Sequence, residues 1–127
     1  IKVIVHLILG LPHETREMMS ASVQAIANLP VWGIKLQLLH VLSGTDLAAY
    51  YEKTHFPVFS MDEYCEMIID CLELLPPEMV IHRITGDGPK DLLIAPMWST
   101  GKRTVLNQIH RRLKERNTYQ GRLATKR

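Results

Sequence analysis

The sequence predicts an α/β fold built on a parallel β-sheet, and three observations support this. Three runs rich in Val, Ile and Leu have the length and composition of buried strands, at residues 1–9, 34–42 and 79–84. Segments with helical spacing of apolar residues separate the runs, and each run ends at a glycine-containing turn. This alternation is typical of parallel sheets with right-handed crossovers. Because three strands cannot close a barrel, we expect an open wedge whose second sheet face is covered by other strands.

The first strand, residues 1–9, has two different faces. One face is wholly apolar and should lie against a helix; it contains Ile1, Val3, Val5, Leu7 and Leu9. The other face carries Lys2 and His6, so it should face a partly hydrated interior. Gly10 follows in a turn where the main chain can approach a ligand, and Thr15 is a suitable helix N-cap. A turn that only connects two elements explains these residues equally well.

The next elements repeat this arrangement. A helix at residues 15–29 should bury one stripe, formed by Met19, Val23 and Ile26. The second strand, residues 34–42, has a nearly dry face and a mixed face, the mixed one formed by Lys35, Gln37, Leu39 and Val41. It ends at a second glycine turn, where Thr45 can cap a short helix at residues 46–53.

A longer helix follows at residues 61–75, and Ser60 and Glu63 have the spacing of a capping box at its start. Its buried stripe should contain Tyr64, Ile68, Cys71 and Leu75, with Asp62, Glu66, Asp70 and Glu73 on the opposite face. The third strand, residues 79–84, ends in a third glycine-rich turn. The rest is predicted as an irregular packed segment at 91–98, a helix at 101–117 burying Leu106, Ile109 and Leu113, and a frayed tail from Thr118 onward.

Composition indicates one ordinary globular domain of 127 residues with no apolar run long enough to cross a bilayer, so no membrane partner is expected. Cys65 and Cys71 lie six residues apart in a helical pattern and should point in different directions. We therefore expect two buried thiols and a reducing, cytoplasmic location. The chain begins within a buried strand, without an initiator Met or a signal-peptide pattern, which suggests a fragment of a longer protein.

Charge is unevenly distributed along the chain. From residue 101 onward nine basic residues stand against Glu115 alone, a net charge of +8, while the first hundred residues carry −6. Such a basic end can bind RNA phosphates, with candidate contacts at Lys102, Arg103, Arg111 and Arg112, or it can be a solvated helix face. Because Tyr119 is the only aromatic residue among these charges, the sequence favours the solvated face.

Three turns at matching strand ends carry a resemblance to a known family: Gly10-Leu11-Pro12-His13-Glu14-Thr15, His40-Val41-Leu42-Ser43-Gly44-Thr45-Asp46-Leu47 and His82-Arg83-Ile84-Thr85-Gly86-Asp87-Gly88-Pro89. Together they resemble the C-terminal half of a radical SAM enzyme. The group most similar is the uncharacterised bacterial group related to the Elongator catalytic subunit. Oxygen-independent coproporphyrinogen oxidase is more distantly similar and shares the Gly-Leu-Pro turn. The resemblance extends to about residue 121. It implies that residues 1–100 are β/α units of a (β/α)6 partial TIM barrel and residues 101–127 a basic C-terminal helix and tail.

The resemblance also implies a cofactor chemistry. Enzymes of this family reduce S-adenosylmethionine (SAM) at a 4Fe–4S cluster to a 5′-deoxyadenosyl radical, and three cysteines spaced C-x3-C-x2-C in the first half of the barrel hold the cluster. Cys65 and Cys71 do not match that spacing. The full-length protein is thus expected to use both cofactors on an unknown substrate, for which tRNA is a candidate. The fragment, separated from its N-terminal half, is expected to be inactive and to bind neither cofactor.

Several residues match positions that line the family's SAM pocket. These are Ile8 and Gly10 at the first strand edge, Gln37, Leu39 and Val41 on the next strand, and Arg83 at the last, where Arg83 and Asp87 match a polar pair of the family. Arg83 is expected to hold a carboxylate of SAM or of the substrate. Further pocket candidates are His6, Glu14, Lys35 and Asp87; no catalytic residue or metal ligand is assigned. His6 can instead be a core histidine, Glu14 a helix-dipole charge and Asp87 a turn former.

A non-catalytic α/β module that binds nucleic acid through its basic C-terminus is the alternative function. A C-x3-C-x2-C motif upstream of Ile1 would distinguish the enzyme from this module. In either case the isolated fragment exposes one sheet edge and one sheet face, so we expect it to self-associate through them.

Overall fold

The computed structural model describes residues 1–85 and 89–124, and a parallel sheet organises them. The elements along these residues are β1 (Ile4–Leu9), α1 (Arg16–Ala27), β2 (Gly33–Leu38), β3 (Val41–Leu42), α2 (Asp46–Thr54), α3 (Met61–Leu74), β4 (Val80–Arg83), β5 (Leu93–Ala95) and α4 (Lys102–Glu115). The sheet has the order β1-β2-β4 with all strands parallel, while β3 and β5 form a separate antiparallel pair. The predicted α/β class with parallel β-α units is confirmed. No helix in the described ranges is both long and apolar enough to span a bilayer.

The main core lies on one side of this sheet. It contains Leu9, Ile34, Leu36 and Leu38 from the strands, the predicted α1 stripe of Met19, Val23 and Ile26, and the predicted α3 stripe of Tyr64, Ile68, Cys71 and Leu75. Each large apolar side chain buried there stabilises the fold by about 1.5–3 kcal/mol. On the opposite sheet face His6 and Ile8 stay exposed, as the two-faced pattern of β1 predicts.

The predicted caps fix the starts of three helices. The Thr15 hydroxyl accepts a hydrogen bond from the Met18 amide and the Thr45 hydroxyl accepts one from the Ala48 amide, both at 3.1 Å. Both hydrogen bonds of the Ser60–Glu63 capping box are present. Each bond satisfies an amide that a helix start would otherwise leave unpaired.

The predicted second strand is wrong beyond Leu38. The chain leaves the parallel sheet at Leu39, and β3 then pairs with β5 instead of continuing β2. Val41 is 0% exposed in a second small core with Ala48, Phe56 and Ala95, so the departure from β2 buries this side chain against α2 and β5. The segment predicted as irregular therefore contains β5, flanked by short 3-10 turns.

The predicted frayed tail is also wrong, because Thr118–Ala124 binds the C-terminal end of α3; this segment is called the C-terminal clasp below. The Gln120 amide donates to the carbonyls of Pro76 and Met79, each at 2.8 Å. The Gly121 amide donates to the Leu72 carbonyl at 2.9 Å.

Glu73 is the acidic residue that anchors the clasp. Predicted on the solvent face of α3, it is instead 3% exposed. Its carboxylate accepts hydrogen bonds from the Thr118 hydroxyl and the Arg122 guanidinium, and its carbonyl accepts one from the Leu123 amide at 2.8 Å. The clasp is therefore held in place because it donates hydrogen bonds to the Glu73 carboxylate and to carbonyls at the end of α3.

Both cysteine side chains are enclosed, as predicted. Cys65 and Cys71 are free thiols at 0% exposure on α3. Burial raises the pKa of both thiols, that of Cys71 to about 12. Because the thiolate is the reactive form, we expect neither thiol of the native 127-residue chain to react with Ellman's reagent, and both to react in denaturant. Release of thionitrobenzoate by the native chain would contradict this expectation.

Candidate functional site

The sheet face opposite the core, called the open face below, brings several predicted site residues together. His6, Lys35 and Arg83 are register partners across β1, β2 and β4, so their Cα atoms form one row. Ile8 and Gln37 are partners in a row nearer the C-terminal ends of the strands. Since residues two apart on a strand lie about 6.6 Å apart, one small ligand can contact both rows.

The chemistry of these rows suits an anionic, polar ligand. Lys35 and Arg83 supply two cations, and a guanidinium can bind a carboxylate through two parallel hydrogen bonds. Gln37 lies half-buried in the neighbouring row and offers an amide with both donor and acceptor atoms. A molecule with a carboxylate at one end and a hydrogen-bonding heterocycle at the other matches this order of groups.

Gly10 forms the rim of the site at the end of β1. Its φ of +89° lies in the left-handed region, and a Cβ atom there would lie 3.0 Å from two ring carbons of Phe59. The turn therefore has no room for a side chain at Gly10, which is half-buried at the end of β1.

Substitution of Gly10 tests this packing. Alanine at Gly44, which has a φ of +80° but open space around it, should cost about 1 kcal/mol from backbone strain alone. Alanine at Gly10 must in addition displace the Phe59 ring, so we expect a cost larger by about 0.5–1 kcal/mol. Urea denaturation of both variants measures the difference. Equal losses of unfolding free energy in the two variants would show that the Phe59 ring moves aside without a measurable cost.

Other predicted residues lie away from the open face. Val41 is fully buried and Leu39 packs against the same small core, so either would reach a ligand there through its main chain. The Glu14 carboxylate accepts a hydrogen bond from the Leu11 amide at 3.3 Å and closes the turn after β1. Asp87 lies outside the described residues.

Sequence reasoning missed one polar pair at the rim. His13, with a φ of 66°, places its Nε2 atom 2.9 Å from the Tyr50 hydroxyl on α2. Tyr50 lies 37 residues further along the chain, so no local pattern connects the two.

The basic helix α4 is held to α3 by ion pairs. The Arg112 side chain is 16% exposed, and its guanidinium contacts Asp62 at 2.5 Å and Glu66 at 2.9 Å. Arg116 contacts Glu66 at 2.7 Å, and the exposed Arg111 pairs with Glu115 at 3.6 Å. Arg112 and Arg116 thus face the acidic side of α3, whereas Arg103 and Lys114 are exposed.

The donor set of the described residues does not fit an iron–sulfur cluster. No three of their His, Cys, Asp and Glu side chains are placed to hold a metal ion. Cys65 and Cys71 are enclosed in the core, away from the open face. Since thiolates hold such clusters, their ligands would have to come from residues outside this chain. The open face, in contrast, has the cations and the amide that a nucleoside with a carboxylate requires.

The chain is similar to two longer proteins, of which it covers only a part. The chain is 50% identical over 121 residues to the uncharacterized protein YtqA of Bacillus subtilis and 33% identical over 122 residues to the uncharacterized protein MJ0486 of Methanocaldococcus jannaschii. Each alignment covers 95% of this chain but only 38% of the relative, so the chain spans well under half of each.

The fold and the family both match the resemblance predicted from the three turns. The archaeal Methanocaldococcus infernus Elp3 with an N-terminal deletion has a similar fold, with a TM-score of 0.78 at 19% identity, over 94% of this chain and 28% of that one. Residues 31–115, more than half of the chain, match the Radical_SAM C-terminal domain. The chain therefore belongs to the Radical_SAM C-terminal domain family.

Proposed function

We propose that the full-length protein is a radical SAM enzyme, and that this chain supplies the C-terminal strands of its barrel and one wall of its SAM pocket. A 4Fe–4S cluster bound elsewhere in the protein would supply the electron that cleaves SAM into a 5′-deoxyadenosyl radical. The observation that carries the proposal is the open face, where the row of His6, Lys35 and Arg83 adjoins the row of Ile8 and Gln37 below the Gly10 rim. Family membership supports it.

Within this proposal each residue of the site has a definite task. Ile8 and the main chain at Gly10 pack beside the adenine, and Gln37 hydrogen-bonds its polar edge. Arg83 holds the SAM carboxylate. Lys35 and His6, deeper along the strands, face the substrate. The cluster ligands come from the remainder of the protein, so the isolated chain is inactive. A cytoplasmic location, where thiols stay reduced, fits the two free cysteines.

The decisive experiment compares the full-length protein with the 127-residue chain. Both are purified without oxygen, supplied with iron and sulfide, and reduced with dithionite in the presence of SAM. We expect 5′-deoxyadenosine and an absorption band of the cluster from the full-length protein only. A full-length protein without a C-x3-C-x2-C motif that releases no 5′-deoxyadenosine would overturn the proposal.

RNA binding is a second candidate function, favoured by one surface of α4. Arg103, His110 and Lys114 are exposed, and their spacing places them on one side of the helix. In an enzyme acting on tRNA this surface would contact phosphates, together with Lys102 and Arg111. Arg112 faces α3 and contributes less.

The salt dependence of tRNA binding tests this second function. Alanine at both Arg103 and Lys114 should lower the slope of log affinity against log salt by about 1.5, because each lost phosphate contact removes about 0.7–0.9. Alanine at Arg116, whose charge is already paired with Glu66, is the matched control and should leave the slope unchanged. Equal slopes for both variants would exclude α4 as an RNA contact.

A further inference from the structure

A cavity of about 490 Å³ lies beside β4, and among its described lining residues Arg83 alone has a part in the proposed chemistry. The apolar residues that line it are Leu72, Ile81, Ile84, Leu106, Ile109 and Leu113, contributed by α3, β4 and the turn after it, and α4. It is called the β4 groove below. Its volume is within the range of ligand-binding clefts in proteins, about 300–1,000 Å³.

The β4 groove runs along a strand edge. Every residue of the segment 81–85 lines it. Successive side chains of a strand point to opposite faces of the sheet, so an unbroken run of residues can line one cavity only along the edge of the strand. The other edge of β4 pairs with β2, and the edge at the groove has no strand partner among the described residues. Such an edge presents main-chain donors and acceptors to an incoming strand.

The wall opposite this edge is apolar and partly uncovered. Leu106 was predicted to be buried in the core, but its side chain is 36% exposed. Ile109, on the same side of α4, is 0% exposed and forms the floor. An apolar wall that faces an unpaired strand edge is the arrangement in which proteins bind an extended peptide by adding it to a sheet.

The ionisable side chains described at the groove are all of basic types. The ionisable residues among those that line it are His82, Arg83 and His110, and none of the described lining residues is acidic. His82 lies toward the open face, because its Cδ2 atom is 2.9 Å from the position of a Cβ on Gly33 and its ring packs at a tilt against that of Trp32, with centroids 5.0 Å apart. A strand added to β4 would thus meet apolar side chains on one face and basic groups on the other.

We propose that the β4 edge binds an extended segment of a partner protein in which apolar and acidic residues alternate. Its apolar side chains would pack against Leu106 and Ile109, and its acidic side chains would approach His82 and Arg83. Main-chain hydrogen bonds to β4 would supply affinity that does not depend on sequence. The proposal does not depend on the radical SAM assignment.

A labelled peptide tests the proposal on the full-length protein. The probe is a fluorescein-labelled peptide of about nine residues in which valine and glutamate alternate, long enough for one strand. Binding is measured by fluorescence anisotropy. We expect saturable binding that weakens about tenfold or more when lysine replaces glutamate, and again when a central proline removes a main-chain donor.

Two neighbouring residues of α4 provide matched variants. Leu106→Glu places a charge on the groove wall, whereas Asn107→Glu places the same charge on an exposed residue that does not line the groove. We expect Leu106→Glu to weaken peptide binding about tenfold and Asn107→Glu to weaken it less than twofold. His110→Glu is a second groove variant for the case that Leu106→Glu does not fold, as judged by circular dichroism.

Several results would overturn the proposal. They include absence of peptide binding, equal binding of the lysine or proline peptides, and equal effects of the Leu106 and Asn107 variants. Self-association that Leu106→Glu abolishes would assign the edge to a second copy of the protein. Displacement of the peptide by a short RNA would assign it to nucleic acid.

Discussion

Replacing Arg83 with alanine in the full-length protein is expected to weaken SAM binding about thirtyfold. Arg83 is half-buried and is the register partner of Lys35 across β2 and β4, so its Cα atom lies in the same row as those of His6 and Lys35. A hydrogen bond to a charged group contributes about 1.5–3 kcal/mol, and 2 kcal/mol corresponds to about thirtyfold in affinity. Equilibrium dialysis with labelled SAM measures this change.

Two further variants separate geometry from charge. Arg83→Lys keeps the positive charge but cannot form the paired hydrogen bonds of a guanidinium, so we expect a loss of about fivefold. Lys53→Ala removes an exposed cation at the end of α2 and should change SAM affinity less than twofold. An unchanged affinity of Arg83→Ala would show that the SAM carboxylate binds elsewhere.

Replacing Glu73 with glutamine is expected to release the C-terminal clasp. The substitution keeps the shape of the side chain but removes the charge that binds Arg122 and faces Arg116. Loss of a charge-assisted interaction at a carboxylate that is 3% exposed should cost about 2 kcal/mol. Hydrogen exchange at the Gly121 and Leu123 amides, which bind α3 carbonyls, should accelerate about thirtyfold in the variant.

The pH dependence of this effect has a definite sign. The hydrogen bond from Thr118 and the contact with Arg122 hold the pKa of Glu73 below its ordinary value of 4.5. A carboxylate with a lowered pKa stabilises the folded state above the unfolded-state pKa, and this contribution is lost as the pH falls through the folded-state pKa. The ratio of the exchange rate in the variant to that in the wild type should therefore be about thirty at neutral pH and should approach one in acid.

Glu115→Gln is the matched control. Glu115 pairs with Arg111 at 3.6 Å, and both side chains are more than half exposed. Exposed pairs of this kind contribute about 0–1 kcal/mol, so clasp exchange should be unchanged. If both glutamate variants accelerated exchange equally, a general effect of charge rather than the Glu73 anchor would be responsible.

The sequence predicted those features that depend on neighbouring residues. Helix starts at Thr15, Thr45 and Ser60 follow from one side chain and an amide two or three residues away. The two faces of β1 follow from strict alternation. The row of His6 and Lys35 on the open face follows from the same alternation once the strands are parallel.

Features that depend on distant packing were not predictable in the same way. The end of β2 at Leu38 depends on Ala95, more than fifty residues later, which pairs with Val41. The burial of Glu73 depends on the clasp, whose residues look like an ordinary polar tail. Leu106 has the spacing of a core residue, but the groove beside β4 leaves it partly exposed. In each case a local pattern was overridden by a partner from another part of the chain.

The C-terminal clasp also bears on where a stable piece of this protein can be cut. The family match ends at residue 115, before the clasp begins. A polypeptide trimmed at that boundary would lose Gln120, which holds the carbonyls of Pro76 and Met79 just ahead of β4. It would also remove Thr118 and Arg122, whose hydrogen bonds to Glu73 allow its carboxylate to be buried. An expression boundary for this protein is better drawn past Leu123.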